Sequence, residues 1–213
     1  MGGWDSLRVE LRRLLEESPD AFMFLPDPDS ERSEKRIRIG LAAWATDIAA
    51  DFHARYGDLL DLHVGMMRFP GRELLGNAHL LQVHGEPAEG AGFGVEPLAP
   101  LTVRSGRHAH RDLLITNRTE RTELLITNGE LSSAVTNSSG AVVGRFAGPH
   151  TLARVGFEIA PQQTRPVPVL IGTASVVPEL GYAVPPGQWT LVVVLQTETG
   201  SMLLAPLDLT VSE

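Results

Sequence analysis

Cysteine is absent from the 213 residues. That excludes disulfides, thiolate-held metal sites and a cysteine nucleophile. Lysine is nearly absent: Lys35 stands beside 17 arginines, a bias that fits a GC-rich, bacterial genome. There is no apolar run of roughly 18 residues and no basic segment leading into an apolar leader. The expectation is therefore a cytoplasmic chain with no membrane partner. Positive charge is also scarce. The formal net charge is −8, with 10 basic against 17 acidic residues over 1–98 and 8 against 9 over 99–213. Neither part has the basic footprint that a phosphate backbone requires, so no nucleic acid partner is expected. Gly-x-Ser-x-Gly and Ser-x-x-Lys, the local marks of a serine nucleophile, do not occur. Gly172-Thr-Ala-Ser175 is the nearest small-residue cluster and reads as a loop.

What is present is best ordered at the C-terminal end. Pro185-Pro186-Gly187 makes a turn, after which Trp189, Leu191, Val193 and Leu195 alternate with Thr190, Val192, Val194 and Gln196. Period 2 with β-branched and aromatic residues predicts a strand. Thr197–Ser201 turns the chain back, and Leu203, Ala205, Leu207, Leu209 and Val211 form a second alternating face. Pro206 has no N–H, so this second strand lies at an edge or breaks. Val192 and Val194 make the other face of the first strand apolar as well, which predicts cover on both sides.

The N-terminal part reads differently. Trp4, Leu7, Leu11, Leu14 and Leu15 recur at helical spacing and predict an amphipathic helix that ends near Ser18-Pro19. Ala21–Leu25 is a compact apolar run. Ile37, Leu41, Trp44, Ile48 and Phe52 predict a helix over about 33–56, stopped by Gly57, although Arg36–Ile39 also suits a strand. Asp58–Phe69 alternates as a strand, and Glu73–Val83 suits a further helix or strand. Gly85–Pro100 is rich in Gly, Pro and Ala and reads as a linker. It lacks the Lys-Ser/Thr of a phosphate loop, and Pro26–Ser30 lacks the glycine and closing glutamate of a calcium loop, so no cofactor is expected.

From Leu101 onward short strands follow at regular spacing, among them the twin strings LLITN at 113–117 and 124–128. This is the pattern of a β-sandwich. Four turn motifs occur in order: Asn117 closing a strand, Asn137–Gly140 in a hairpin, Pro161–Thr164, and Pro186-Gly187 before Trp189. With them, residues 101–213 resemble the intracellular proteinase inhibitor family of immunoglobulin-like β-sandwiches. The resemblance implies the fold and, through a sandwich loop, protease inhibition. Pro161-Gln162 stands where that family has Pro-Gly, and no inhibitory residue is matched. Asn117-Arg-Thr119 and Asn137-Ser-Ser139 also fit the glycosylation sequon.

The fold expected is α+β: an N-terminal helix-rich α/β segment (1–84), a linker (85–100), and an antiparallel immunoglobulin-like β-sandwich (101–213) against which the first segment packs. The helical stripe is expected to cover Val192 and Val194, with Trp44 and Ile48 at the contact. His108-Ala-His110 would put two imidazoles on one strand face, with Asp112 on the same side. The flanking Gly106, Arg107 and Arg111 instead suggest an exposed basic loop. The function expected is a non-enzymatic protein-interaction or scaffolding module, its partner a protein or a second copy of the chain. Alternatives are a protease inhibitor and a metal-dependent hydrolase using His108, His110 and Asp112.

Overall fold

The computed structural model describes residues 2–24, 36–76, 92–149, 153–198, 200–204 and 206–213. The chain is α+β and rich in strands. An α/β unit comes first, built from helix α1 (Gly2–Glu17), strands β1 (Phe22–Phe24) and β2 (Ile37–Leu41), helix α2 (Thr46–Tyr56), and strands β3 (Leu60–Val64) and β4 (Met67–Arg68). Its sheet runs β1-β2-β3-β4. β2 and β3 are parallel, Ile37 opposite Leu60 and Leu41 opposite Val64, and α2 is the crossover a parallel pair requires. Ile37, Ile39, Leu41, Leu60, Leu62 and Val64 bury one sheet face beneath Ala49 and Phe52 of α2 and Leu7 of α1. Leu11 and Leu14, one and two turns beyond Leu7, pack half-buried on the same core. Among the described residues, no helix is long and apolar enough to cross a membrane.

The single helix expected over 33–56 is two elements here. Residues 37, 39 and 41 belong to β2, Trp44 lies in the following turn, and α2 begins only at Thr46. A spacing of four is even, so Ile37 and Leu41 share a face in a strand as well as in a helix. Pairing with β3 selects the strand. The strand expected over 58–69 is likewise broken. Gly65, at φ 57°, turns the chain from β3 into β4. Of the segment 73–83, the described part carries only a bridge between Leu74 and Met67; residues 77–83 lie outside the described residues.

The sandwich holds the other strands. These are β5 (Phe93–Pro97), β6 (Thr102–Arg104), β7 (His108–Asn117), β8 (Glu123–Thr127), β9 (Ser132–Thr136), β10 (Val142–Arg145), β11 (Val155–Ile159), β12 (Thr164–Gly172), β13 (Ala174–Ser175), β14 (Gly187–Thr197), β15 (Gly200–Leu203) and β16 (Leu207–Ser212). The larger sheet is ordered β11-β8-β14-β9-β10-β13, with β15 and β16 both on β14 and β6 parallel to β16. The smaller sheet is β12-β7-β5. Leu191, Val193 and Leu195 of β14 share one buried core with Leu113 and Ile115 of β7 and Val167, Val169 and Ile171 of β12. The last hairpin strand breaks around Pro206 into β15 and β16, which pair β14 at Val194 and Leu191 respectively.

Two expectations change here. Phe93–Pro97 is an edge strand, not linker: it pairs β7 from Asn117 to Leu113, and Phe93 is buried in the sandwich core. At an edge the missing N–H of Pro97 is tolerated. Residues 85–91 lie outside the described residues. The His108 segment is also strand rather than loop. β7 runs unbroken from His108, which lies opposite Gly172 of β12.

Local chemistry fixes the turns. Asn117 is fully buried. Its Nδ2 donates to the carbonyls of Arg121 and Ile159, both at 2.8 Å. Its Oδ1 accepts from the Thr119 N–H at 2.9 Å and the Thr119 hydroxyl at 2.8 Å. Asn137 forms the same turn, its Oδ1 accepting from Ser139 N–H, Ser139 Oγ and Ala141 N–H. Both sequon matches are thus side-chain-closed turns. Gln162 adopts the left-handed conformation at φ 61°, a region that favours glycine. On β12, the N–H of Leu131 donates to the Pro168 carbonyl and the N–H of Leu170 to the Leu131 carbonyl. Residues 166, 168 and 170 therefore present their backbone groups away from β7.

Candidate functional site

The α/β unit and the sandwich meet where the turn after β6 abuts the turn before α2. Gly106 is at φ 71°, and a Cβ there would lie 2.9 Å from the Trp44 nitrogen. Only glycine allows both the turn and this approach. The Arg107 guanidinium lies 3.6 Å from the centre of the Trp44 ring and donates to Asp20 at 2.7 Å. Thr173 Oγ1 holds the turn from below, donating to the carbonyls of Arg104 and Arg107. On the other side of the junction, Tyr182 donates from its hydroxyl to the Pro70 carbonyl at 3.1 Å and packs against Phe69. Burial raises the Tyr182 pKa.

Beside the contact of Gly106 and Arg107 with Trp44 lies a cleft of about 410 Å³. Phe22, Met23 and Trp44 form its wall on the α/β side, and His108, Phe146 and Pro149 its wall on the sandwich side. The second wall is set by Gly172, whose Cβ, if present, would fall 2.2 Å from the Phe146 Cα. His108 packs edge-on to Phe146 at 5.1 Å. Burial pushes the His108 pKa below its ordinary 6.5, and His110 and Arg107 act in the same direction against Glu130. His108 is accordingly neutral at pH 7. Arg145 also lines the cleft; burial lowers its pKa, yet a guanidinium remains charged at neutral pH. Among the described residues, the fixed charges lining the cleft are Arg107 and Arg145 with Asp20.

The structure brings together only part of the residue set expected from sequence. Trp44 and His108 line the cleft. His110 lies 6.5 Å from His108, ring centre to ring centre, and pairs with Glu130 at 2.6 Å. Asp112 is exposed, opposite Pro168. Among the described residues no group of three metal-binding side chains occurs. Ile48 packs on the α/β core. Val194 is buried and Val192 half-buried on the outer face of β14, but α2 packs on β3, so its residues are spent on their own core. His79, His84 and His150 lie outside the described residues. His63 alternates with the core residues Leu62 and Val64 of β3. It lies opposite the core face yet is buried, with Asp61 at 3.4 Å.

Sequence reasoning missed Asp20, Arg107, Arg145 and Phe146. They are scattered along the chain, and only Gly106 and Gly172, which seat Trp44 and Phe146, hint at them.

No family model matches the chain, and neither does any curated protein. Among solved structures it is similar to Spo0M, a sporulation control protein from Bacillus subtilis, at TM-score 0.31 and 10% identity, covering 62% of this chain and 51% of that one. It is also similar to the CooA pilin subunit of enterotoxigenic Escherichia coli, at TM-score 0.25 and 9% identity, covering 57% of this chain and 99% of that one. The chain thus spans about half the length of the Spo0M structure. Scores this low carry no argument about fold or function.

Proposed function

We propose that the protein is a non-enzymatic interaction module that receives a segment of a protein partner in the cleft between its two units. One observation carries this: the cleft is walled by Trp44 and Phe146, each seated on a glycine of the sandwich. Such a preformed apolar site with few polar groups is the usual form of a binding pocket. The polar groups are engaged in shaping it, Arg107 with Asp20 and Trp44, His108 with Phe146. That arrangement suits holding a partner better than turning over a substrate. Peptides selected from a random displayed library on the full-length protein should perturb the amide signals of Trp44, Arg107, His108 and Phe146. Selected peptides that perturb the face of Val192 and Val194 instead, and leave the cleft silent, would refute the assignment.

A further inference from the structure

We infer that the sandwich binds a phosphate group, free or as a monoester, on the guanidiniums of Arg104 and Arg111. Both line an open pocket of about 380 Å³, together with Thr102, Arg107, His108 and Ser212. The pocket lies where β6 of the larger sheet meets β7 of the smaller one. It shares Arg107 and His108 with the cleft, but the inference does not depend on the cleft being a binding site. On β6, Thr102 and Arg104 are exposed on either side of the buried Val103, and Ser212 of β16 lies beside Arg104 in the parallel pair. Arg111 reaches across from β7 and donates to the carbonyls of His110 and Thr102, both at 2.8 Å. Arg104 donates from Nε to the Glu213 carbonyl at 2.8 Å. These partners are main-chain groups, and neither guanidinium pairs with a side-chain carboxylate among the described residues. Arg107 is left out of the count, because Asp20 already neutralises it. No carboxylate lines the pocket among the described residues. Two like charges are thus held at one pocket, which costs free energy until an anion is shared between them. Arg111, with two of its five N–H groups fixed on carbonyls, keeps the others for a ligand and has little side-chain freedom left to lose. Two forks arriving from different strands suit the three acceptor oxygens of a phosphate better than a carboxylate, which one fork satisfies.

The test follows the amide signals of the full-length protein during titration with inorganic phosphate, at an ionic strength held constant with sodium chloride. Thr102, Arg104, Arg111 and Ser212 should shift together and saturate, and acetate should bind at least about tenfold more weakly. Arg104→Gln, at an exposed position, should weaken phosphate by about tenfold. Arg121→Gln removes the same charge from an arginine that pairs with Glu123 and should leave phosphate binding unchanged. Arg111→Lys keeps the charge without the fork and should weaken phosphate about as much as Arg104→Gln. A phosphoserine peptide and glycerol phosphate then separate the sources: tighter binding of one supports the site and identifies the carrier, and binding of neither beyond inorganic phosphate assigns the site to the free anion. Shifts that do not saturate, acetate binding as tightly as phosphate, or phosphate binding that survives Arg104→Gln would overturn the inference.

Discussion

Replacing Asn117 by aspartate keeps the shape of a fully buried side chain and reverses half of its hydrogen bonding. Oδ1 still accepts from Thr119, but the new oxygen faces the carbonyls of Arg121 and Ile159 at the 2.8 Å where Nδ2 now donates. Two hydrogen bonds are lost, each with a net contribution of about 1 kcal/mol, and a buried carbonyl left without its donor costs a further 1–3 kcal/mol or so. We expect Asn117→Asp to destabilise by about 3–5 kcal/mol, a large share of the roughly 5–15 kcal/mol that holds a domain together. Urea titration followed by circular dichroism would report it as a lower midpoint at unchanged slope. Asn137 is the internal control. It forms the same turn using Oδ1 as acceptor, so Asn137→Asp should stay within about 0.5 kcal/mol. The buried carboxyl of the Asn117→Asp variant would have a raised pKa in the fold. Its native state then holds more protons than its unfolded state, so its deficit relative to wild type should shrink as pH falls. Equal losses at positions 117 and 137, or a loss below about 1 kcal/mol at 117, would refute this account of the turn.

Four further outcomes are expected. Gly172→Ala would force a methyl against the Phe146 backbone, costing about 1–3 kcal/mol by overpacking, seen as a lower denaturation midpoint. Arg107→Ala should cost about 1 kcal/mol, since its pairing with Asp20 is largely exposed and its stacking on Trp44 adds a comparable amount; thermal melts and the Trp44 environment in fluorescence would show it. Gln162→Gly should stabilise by about 0.5–1 kcal/mol, relieving a left-handed residue, provided calorimetry shows a raised melting temperature. His63 is held below its ordinary 6.5 by burial, with Asp61 opposing and Arg38 reinforcing. Asp61 lies below its ordinary 3.8: burial alone would raise it, but the Arg38 hydrogen bond and the charges of His63 and Arg68 prevail. Both depressed groups contribute stability that is present above those ordinary values and lost as pH falls. Stability should therefore decline below about pH 6.5, and His63→Gln should flatten the first part of that decline in urea midpoints.

The β14 hairpin was legible because alternation, turn residues and Pro206 all favour one arrangement, and α1 because its apolar spacing admits no other period. Residues 37–52 were not, since a four-residue spacing satisfies helix and strand alike until β3 supplies a partner. β5 was hidden by Gly94 and Pro97, whose composition resembles a linker although Phe93 reaches the core. The cleft was least legible. Trp44 could be named as a contact residue, but Arg107 and Asp20 are 87 positions apart, and nothing local in either marks the other.

One feature of the smaller sheet bears on solubility. The outward backbone positions in the middle of β12 fall at residues 166, 168 and 170. The first two are prolines, and Leu170 already donates to Leu131. An exposed sheet edge templates aggregation by offering alternating donors and acceptors to a second chain. This edge has no N–H to offer at two consecutive outward positions, yet no ladder bond to β7 is lost, because the prolines occupy only sites that face away from it. The middle of β12 thereby offers a second copy a poor template for edge-to-edge pairing, at no cost to the strand pairing that builds the sandwich.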